Sequence, residues 1–284
     1  MDRKYCLGLY EKAIPPELDW KEKLRAARES GFDFMEISID ETDEKLSRLA
    51  MTKKERHELV RTMAEESIPI RSMCLSGHRR YPFGSHDPEI REKSLKIMKI
   101  MKDAIHLADD LGIRIIQLAG YDVYYEDGDE TTRKYFIKNL EKAVNEAAKY
   151  GIFLGFETME TEFMNTVKKS MKFVSNIDSP YLNVYPDVGN ITNAAHKYGN
   201  NVSADMVYGR GHLIAVHLKE TKPGIFRDMH FGEGYVDFES VIQTAWELGV
   251  RRYVTEFWYK GSLQWKNDLT DANAKMREIL DRQK

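Results

Sequence analysis

The chain has 284 residues, 42% of them apolar, with 43 basic and 46 acidic side chains and a formal net charge of −3. No stretch approaches the ~18 consecutive apolar residues of a membrane span, and no basic face is set apart for a phosphate backbone, so membrane and nucleic-acid partners are not expected. The opening "MDRKYCLGLYEKA" lacks the apolar run of a signal peptide, and Cys6 and Cys74 make no CxxC, so a cytoplasmic protein with two buried thiols is expected.

Along the chain, short apolar runs of β type alternate with longer amphipathic stretches. In order the runs are "YCLGLY" (5–10), "FMEISI" (34–39), "IRSMCLS" (70–76), "IRIIQLAG" (113–120), "IFLGFET" (152–158), "LNVYPD" (182–187), "LIAVHLK" (213–219) and "RYVTEFW" (252–258). The basic stretch "MTKKERHELVRTM" between the second and third has apolar residues at helical spacing and reads as the solvated side of a helix. Four runs are entered through a glycine phrase, "RESGFDF", "ADDLGIRI", "AAKYGIFL" and "WELGVRRY", the signature of a left-handed residue that ends a helix and turns the chain into a strand. Eight strand–helix units in this length predict an α/β fold, a (β/α)8 TIM barrel forming a single domain over residues 1–284. A doubly wound open sheet is the weaker alternative, because no GxGxxG opens the first helix.

In such a barrel the chemistry gathers at the C-terminal ends of the strands. The polar residues there are Glu36, Gln117, Glu157, Asp187, His217 and Glu256, and the last four are spaced by 30, 30 and 39 residues, about one unit each. Three carboxylates and an imidazole in one mouth repel and are costly to desolvate unless a cation sits among them. The donor set therefore predicts one divalent metal held by Glu157, Asp187, His217 and Glu256, with Mn2+, Mg2+, Co2+ or Zn2+ favoured over copper or an iron–sulfur centre. Among the other histidines, His212 precedes its strand, His57, His106 and His196 lie in helical patterns, and His78 is expected to reach the same mouth from the third strand.

The phrases "GFDFMEISIDETDEKLSRL", "SMCLSGHRRYPFGS", "IQLAGYDVYY", "YPDVGN", "VHLKETKPGIF" and "FGEGYVDFE" resemble, nearly end to end, the L-ribulose-5-phosphate 3-epimerase (L-xylulose-5-phosphate 3-epimerase) family of L-ascorbate and L-xylulose utilisation. The resemblance implies a barrel of the xylose-isomerase-like group, a divalent metal on the same four residues, and a homodimer. It implies interconversion of L-ribulose 5-phosphate and L-xylulose 5-phosphate at C3, with Glu157 and Glu256 as the acid/base pair. A metal chelated by the C2 carbonyl and the C3 hydroxyl would stabilise the enediolate formed when the C3 proton leaves. Substrate and phosphate contacts are expected from His78, Arg79 and Arg80 after the third strand and from Lys219 and Lys222 with the Gly224 backbone after the seventh. Glu160, Tyr10 and Trp258 are further candidates for the sugar. Two other reactions share the scaffold, an aldose–ketose isomerisation of a sugar phosphate and cleavage at abasic sites. The second would want histidines where Gln117 and Asn190 stand and would draw on Asp228 and His230. A regulatory sugar-binding barrel is disfavoured by the intact quartet.

Overall fold

A computed structural model describes residues 3–87, 89, 90 and 104–284. Eight strands, Cys6–Tyr10 (β1), Phe34–Ile39 (β2), Ile70–Leu75 (β3), Ile115–Ala119 (β4), Phe153–Glu157 (β5), Leu182–Val184 (β6), Val216–Leu218 (β7) and Arg252–Thr255 (β8), form one parallel sheet in the order β6-β5-β4-β3-β2-β1-β8-β7. The ends of that order meet through parallel bridges, Val184 with Leu213 and Asp187 with His217, so the sheet closes into a barrel. The closing seam is short: His217 N donates to Pro186 O at 2.9 Å and Val184 N to His212 O at 2.8 Å.

Alternation along each strand sorts the side chains into two sets. Leu7, Leu9, Met35, Ile37, Met73, Ile116, Leu118, Leu154, Phe156, Val216 and Leu218 point outward into one large cluster under the helices. The intervening positions point inward, where Phe34, Cys74, Ile115, Tyr185, Ala215 and Val254 pack together and fill the barrel. Two residues beyond several of these inward positions stand Glu36, Gln117, His217 and Glu256, so strand parity itself delivers the polar groups to the top of the barrel. Cys74 is buried, whereas Cys6 is only half-buried, because β1 begins there at the lower rim.

The α-helices that lie wholly within the described residues include Trp20–Glu29 (α1), Asp43–Ser47 (α2), Lys53–Glu65 (α3), Glu130–Lys149 (α4), Val167–Ile177 (α5), Val188–Tyr198 (α6), Val202–Val207 (α7), Phe238–Glu247 (α8) and Trp265–Leu280 (α9). Capping boxes start α1 at Asp19 and Glu22 and α3 at Thr52 and Glu55, satisfying backbone N–H groups that a first turn leaves open. The four punctuating glycines, Gly31, Gly112, Gly151 and Gly249, all have positive φ, between 64° and 90°. No described helix is long and apolar enough to cross a membrane.

Candidate metal centre and active-site cavity

Glu157 ends β5, Asp187 starts α6, His217 lies in β7 and Glu256 follows β8, and one donor atom of each lies within 4.8 Å of all the others. All four are at most 5% exposed. Glu256 is held in line because its N–H continues the ladder to Leu218 O at 2.8 Å. Asp187 divides its two oxygens between two tasks. Its Oδ1 accepts from Asn190 N at 2.7 Å and caps α6, which leaves Oδ2 to face the other donors. Gly189 follows because a side chain there would press within 2.9 Å of Lys219 O and 3.2 Å of Lys219 Cε.

Glu36 and Lys219 complete the centre. His217 Nε2 is 2.5 Å from Glu36 Oε1, and Tyr185 donates its hydroxyl to Glu36 Oε2 at 2.9 Å. A carboxylate on one imidazole nitrogen fixes the tautomer and turns the other nitrogen, Nδ1, toward Glu256, whose Oε2 is 2.7 Å away. Lys219 Nζ stands 2.6 Å from Asp187 Oδ2 and 4.0 Å from Glu256 Oε2, and donates to Asn190 Oδ1 at 2.9 Å.

The charges of this cluster do not balance within the protein alone. Burial and the neighbouring Glu256 carboxylate push Glu157 up to about 8, against the pull of His217 and Lys219. Burial also lifts Asp187 to about 7. Glu256 goes the other way: burial raises it, but Lys219 and His217 together hold it well below the usual carboxylate range. Asp187 Oδ2 and Glu256 Oε2 are buried with no partner in hydrogen-bond geometry, despite their short contacts to Lys219 and His217. Two such inward-facing oxygens beside a third carboxylate and the His217 Nδ1 that faces Glu256 fit a divalent cation. If the Glu36 carboxylate orients His217, Glu36→Gln is expected to weaken divalent-metal affinity by about 10–100-fold. Calorimetric titration with Mn2+ or Zn2+ checks this, and unchanged affinity would reduce Glu36 to a packing role.

Above the quartet lies a cavity of about 50 Å3, lined by Tyr10, Lys12, Cys74, Arg79, Glu160, Lys219, Phe226, Arg227 and Trp258 among others. The structure thus brings Tyr10, Arg79, Glu160, Lys219 and Trp258 to the site expected from sequence. Arg79 lies over the Tyr121 and Tyr124 rings, 3.7 Å from Glu160 Oε1, and the Tyr121 hydroxyl donates to Glu160 Oε2. Glu160 is therefore a fixed acceptor at the cavity wall.

His78 does not reach the mouth. The one-turn helix Gly77–Arg79 swings its ring away against Phe83, with centroids 4.7 Å apart, and burial drives its pKa down to about 4. Arg80 turns outward to Asp43. Lys222 is absent from the cavity lining, and the Gly224 N–H is already donated to Asn193 Oδ1 at 2.9 Å, so the Pro-Gly turn offers no open donor there. Gln117 and Asn190 serve neighbours, the first 3.1 Å from His217 Nδ1 and the second bonded to Thr158 O and Lys219. Lys12 and Arg227 were missed by sequence reading. Lys12 follows a strand and Arg227 sits ten residues beyond His217 in an irregular loop, so neither carries a periodic signal.

A family model described as xylose isomerase-like TIM barrel matches residues 24–281. L-ribulose-5-phosphate 3-epimerase UlaE of Shigella boydii serotype 18 is 42% identical over 259 residues, covering 91% of this chain and 89% of that one. SgbU of Escherichia coli (strain K12), which bears the same activity as a provisional name, is 48% identical over 263 residues and 90% of each chain. Among solved structures, D-psicose 3-epimerase of Clostridium cellulolyticum H10 with D-tagatose superposes with a TM-score of 0.78 at 15% identity, over 97% of this chain and 99% of that one. An L-ribulose 3-epimerase gives 0.75 at 15% identity, over 98% and 95%. At that identity the structural matches establish the fold alone.

Proposed function

The chain belongs to the L-ribulose-5-phosphate 3-epimerase family of xylose isomerase-like TIM barrels, and from that membership we propose that it interconverts L-ribulose 5-phosphate and L-xylulose 5-phosphate by inversion at C3. The observation that carries this reading is the buried quartet Glu157, Asp187, His217 and Glu256, converging from consecutive barrel strands on one point. A divalent ion held there would act as a Lewis acid, stabilising the negative charge that develops on the ketose oxygens when the C3 proton leaves.

The protein's own groups have separable tasks. Inversion needs a proton acceptor on one face of C3 and a donor on the other. Glu157 and Glu256 come from opposite ends of the ligand series, and each has two oxygens, so one can serve the proton while the other serves the metal. Which one takes the proton depends on the direction of the reaction. Asp187 and His217 hold the cluster together, with Glu36 orienting the imidazole. Tyr10 and Trp258, with ring centroids 6.2 Å apart, close one wall and exclude water. Glu160, held by Tyr121 and Arg79, accepts from a sugar hydroxyl. Pairing of two chains in solution and a cytoplasmic location are part of the same proposal.

The deciding experiment follows solvent deuterium into the substrate. With wild-type protein, label is expected at C3 of L-ribulose 5-phosphate or L-xylulose 5-phosphate, to disappear after chelation and to return with Mn2+, Zn2+, Mg2+ or Co2+. Label at C1 instead would establish an aldose–ketose isomerase, and full exchange by rigorously demetallated protein would remove the metal from the proposal.

A further inference from the structure

The phrases "VHLKETKPGIF" and "FGEGYVDFE" meet in space at Glu220. This residue stands two positions past β7, beside Lys219, and is only 3% exposed, yet it forms no ion pair among the described residues. A buried carboxylate without a cation is costly unless hydrogen-bond donors surround it, and here three backbone N–H groups do. Glu220 Oε1 accepts from Thr221 N and Val236 N, both at 3.1 Å, and Oε2 accepts from Gly232 N at 2.9 Å. Tyr235 N adds a bond to Thr221 O at 2.9 Å. The donors come from both ends of the segment 221–236 that joins β7 to α8, so one side chain closes the neck of that loop. Two glycines admit it. Gly232 has a φ of 97°, and a side chain on Gly234 would collide with Glu220 Oε1 and Thr221 O. The body of the loop borders the site: Phe226 lines the same cavity as Glu157 and Glu256, and with Pro223 and Gly224 it lines a neighbouring cavity of about 230 Å3. Its first half is tied to α6 through Asn193, which donates to Lys222 O at 3.0 Å and accepts from Gly224 N at 2.9 Å. Its second half is held from outside by exposed lysines, Lys260 on Asp228 O at 3.0 Å and Lys275 on Phe231 O at 2.9 Å, and from inside by Glu220.

We propose that Glu220 is a positioning residue for this site: its buried carboxylate clasps the two ends of the 221–236 loop and thereby keeps the Phe226 wall closed over the substrate cavity. The proposal rests on the epimerase reading above and adds a residue that touches neither the quartet nor the sugar. The physical reason lies in the donor count. Both carboxylate oxygens accept from N–H groups, so an amide at this position turns one of them into a donor that faces a donor, and the neck opens at that point. A loop that is no longer held in place must be ordered by the substrate as it binds, and that ordering is taken from affinity rather than from the chemical step.

The test compares wild type, Glu220→Gln and Gly234→Ala, the last of which keeps the carboxylate but crowds the same neck. Hydrogen exchange read by mass spectrometry should speed up by about 10- to 100-fold in Glu220→Gln across 221–236, the usual effect of losing a hydrogen bond to a charged group, with the barrel strands unchanged. Gly234→Ala should loosen the same segment. In steady-state kinetics both variants should raise KM for L-ribulose 5-phosphate by about 10-fold with a much smaller change in kcat. Calorimetric affinity for Mn2+ should stay at the wild-type value, because no metal donor lies in the loop. Unchanged exchange in 221–236 overturns the proposal. So does faster exchange with an unchanged KM, which would leave Glu220 as a structural tie with no bearing on the site, and so does a loss of metal affinity that accounts for the kinetic defect. If the wild type turns over neither L-ribulose 5-phosphate nor L-xylulose 5-phosphate, the epimerase reading fails instead, and the clasp then stands or falls by the exchange comparison.

Discussion

Glu157→Gln is expected to lower kcat for C3 epimerisation by about 1,000-fold, the middle of the ~10²–10⁴ range that a positioned acid/base group supplies. Glutamine keeps the shape of the side chain and one ligand oxygen, so metal content, measured by plasma mass spectrometry, should largely survive. On the proposed mechanism, what it removes is the oxygen that would carry the proton on one face of C3. The opposite face would still be served by Glu256, and this gives the prediction a sharper form. The variant should continue to exchange solvent deuterium into the epimer whose C3 hydrogen faces Glu256, without inverting it, and should not exchange the other. Glu256→Gln should show the mirror pattern. Asp187→Asn belongs to a different class, because its loss should track metal occupancy and be relieved by excess metal. A Glu157→Gln enzyme that inverts at the wild-type rate, or one that exchanges both epimers equally, would remove Glu157 from acid/base chemistry.

How much of this was legible in the sequence depends on what each residue answers to. The barrel was, because strand parity and helix-ending glycines are local: the phrases around Gly31, Gly112, Gly151 and Gly249 each specify a positive φ with no need of distant contacts. The quartet was legible for a related reason, since its members recur at nearly one unit of spacing at strand ends. The supporting shell was not. Glu36 was visible as a polar residue in β2, but its partnership with His217 spans 181 positions and exists only once the barrel closes. Lys219 was read as a phosphate donor, yet the short seam between β6 and β7 points it at Asp187, where it neutralises part of the cluster. His78 misled because a single helical turn after β3 reverses its direction, and no periodicity reports on one turn.

The second large effect is on stability and concerns a residue with nothing remarkable in its surroundings in the sequence. Glu11, on the one-turn helix Glu11–Ala13 that follows β1, is 1% exposed. Its Oε1 accepts from Lys45 Nζ at 2.7 Å, its Oε2 accepts from Arg48 Nη1 at 2.6 Å and Ser38 N at 2.8 Å, and Lys23 Nζ lies 3.6 Å away. One buried carboxylate thus joins β1, β2 and the helices α1 and α2. Burial alone would raise its pKa, but Arg48 and Lys45 outweigh burial and bring it down to about 2 from an ordinary 4.5. Because the folded value is depressed, the stabilisation is fully present above pH 4.5 and is lost as pH falls toward 2. The shift corresponds to about 3 kcal/mol. Glu11→Gln leaves Lys45, Arg48 and Lys23 facing one another with no buried anion between them, and is expected to cost about 3–5 kcal/mol at pH 7, the usual penalty for stranding a buried charge. Urea unfolding of wild type and variant at pH 7, 4.5 and 3 measures both claims. The gap between the two proteins should be widest at neutral pH and narrow as Glu11 takes up its proton. A gap below about 1 kcal/mol at pH 7, or one that stays constant down to pH 3, would mean that the three cations are solvated in the folded state and that Glu11 does not tie the first two units of the barrel together.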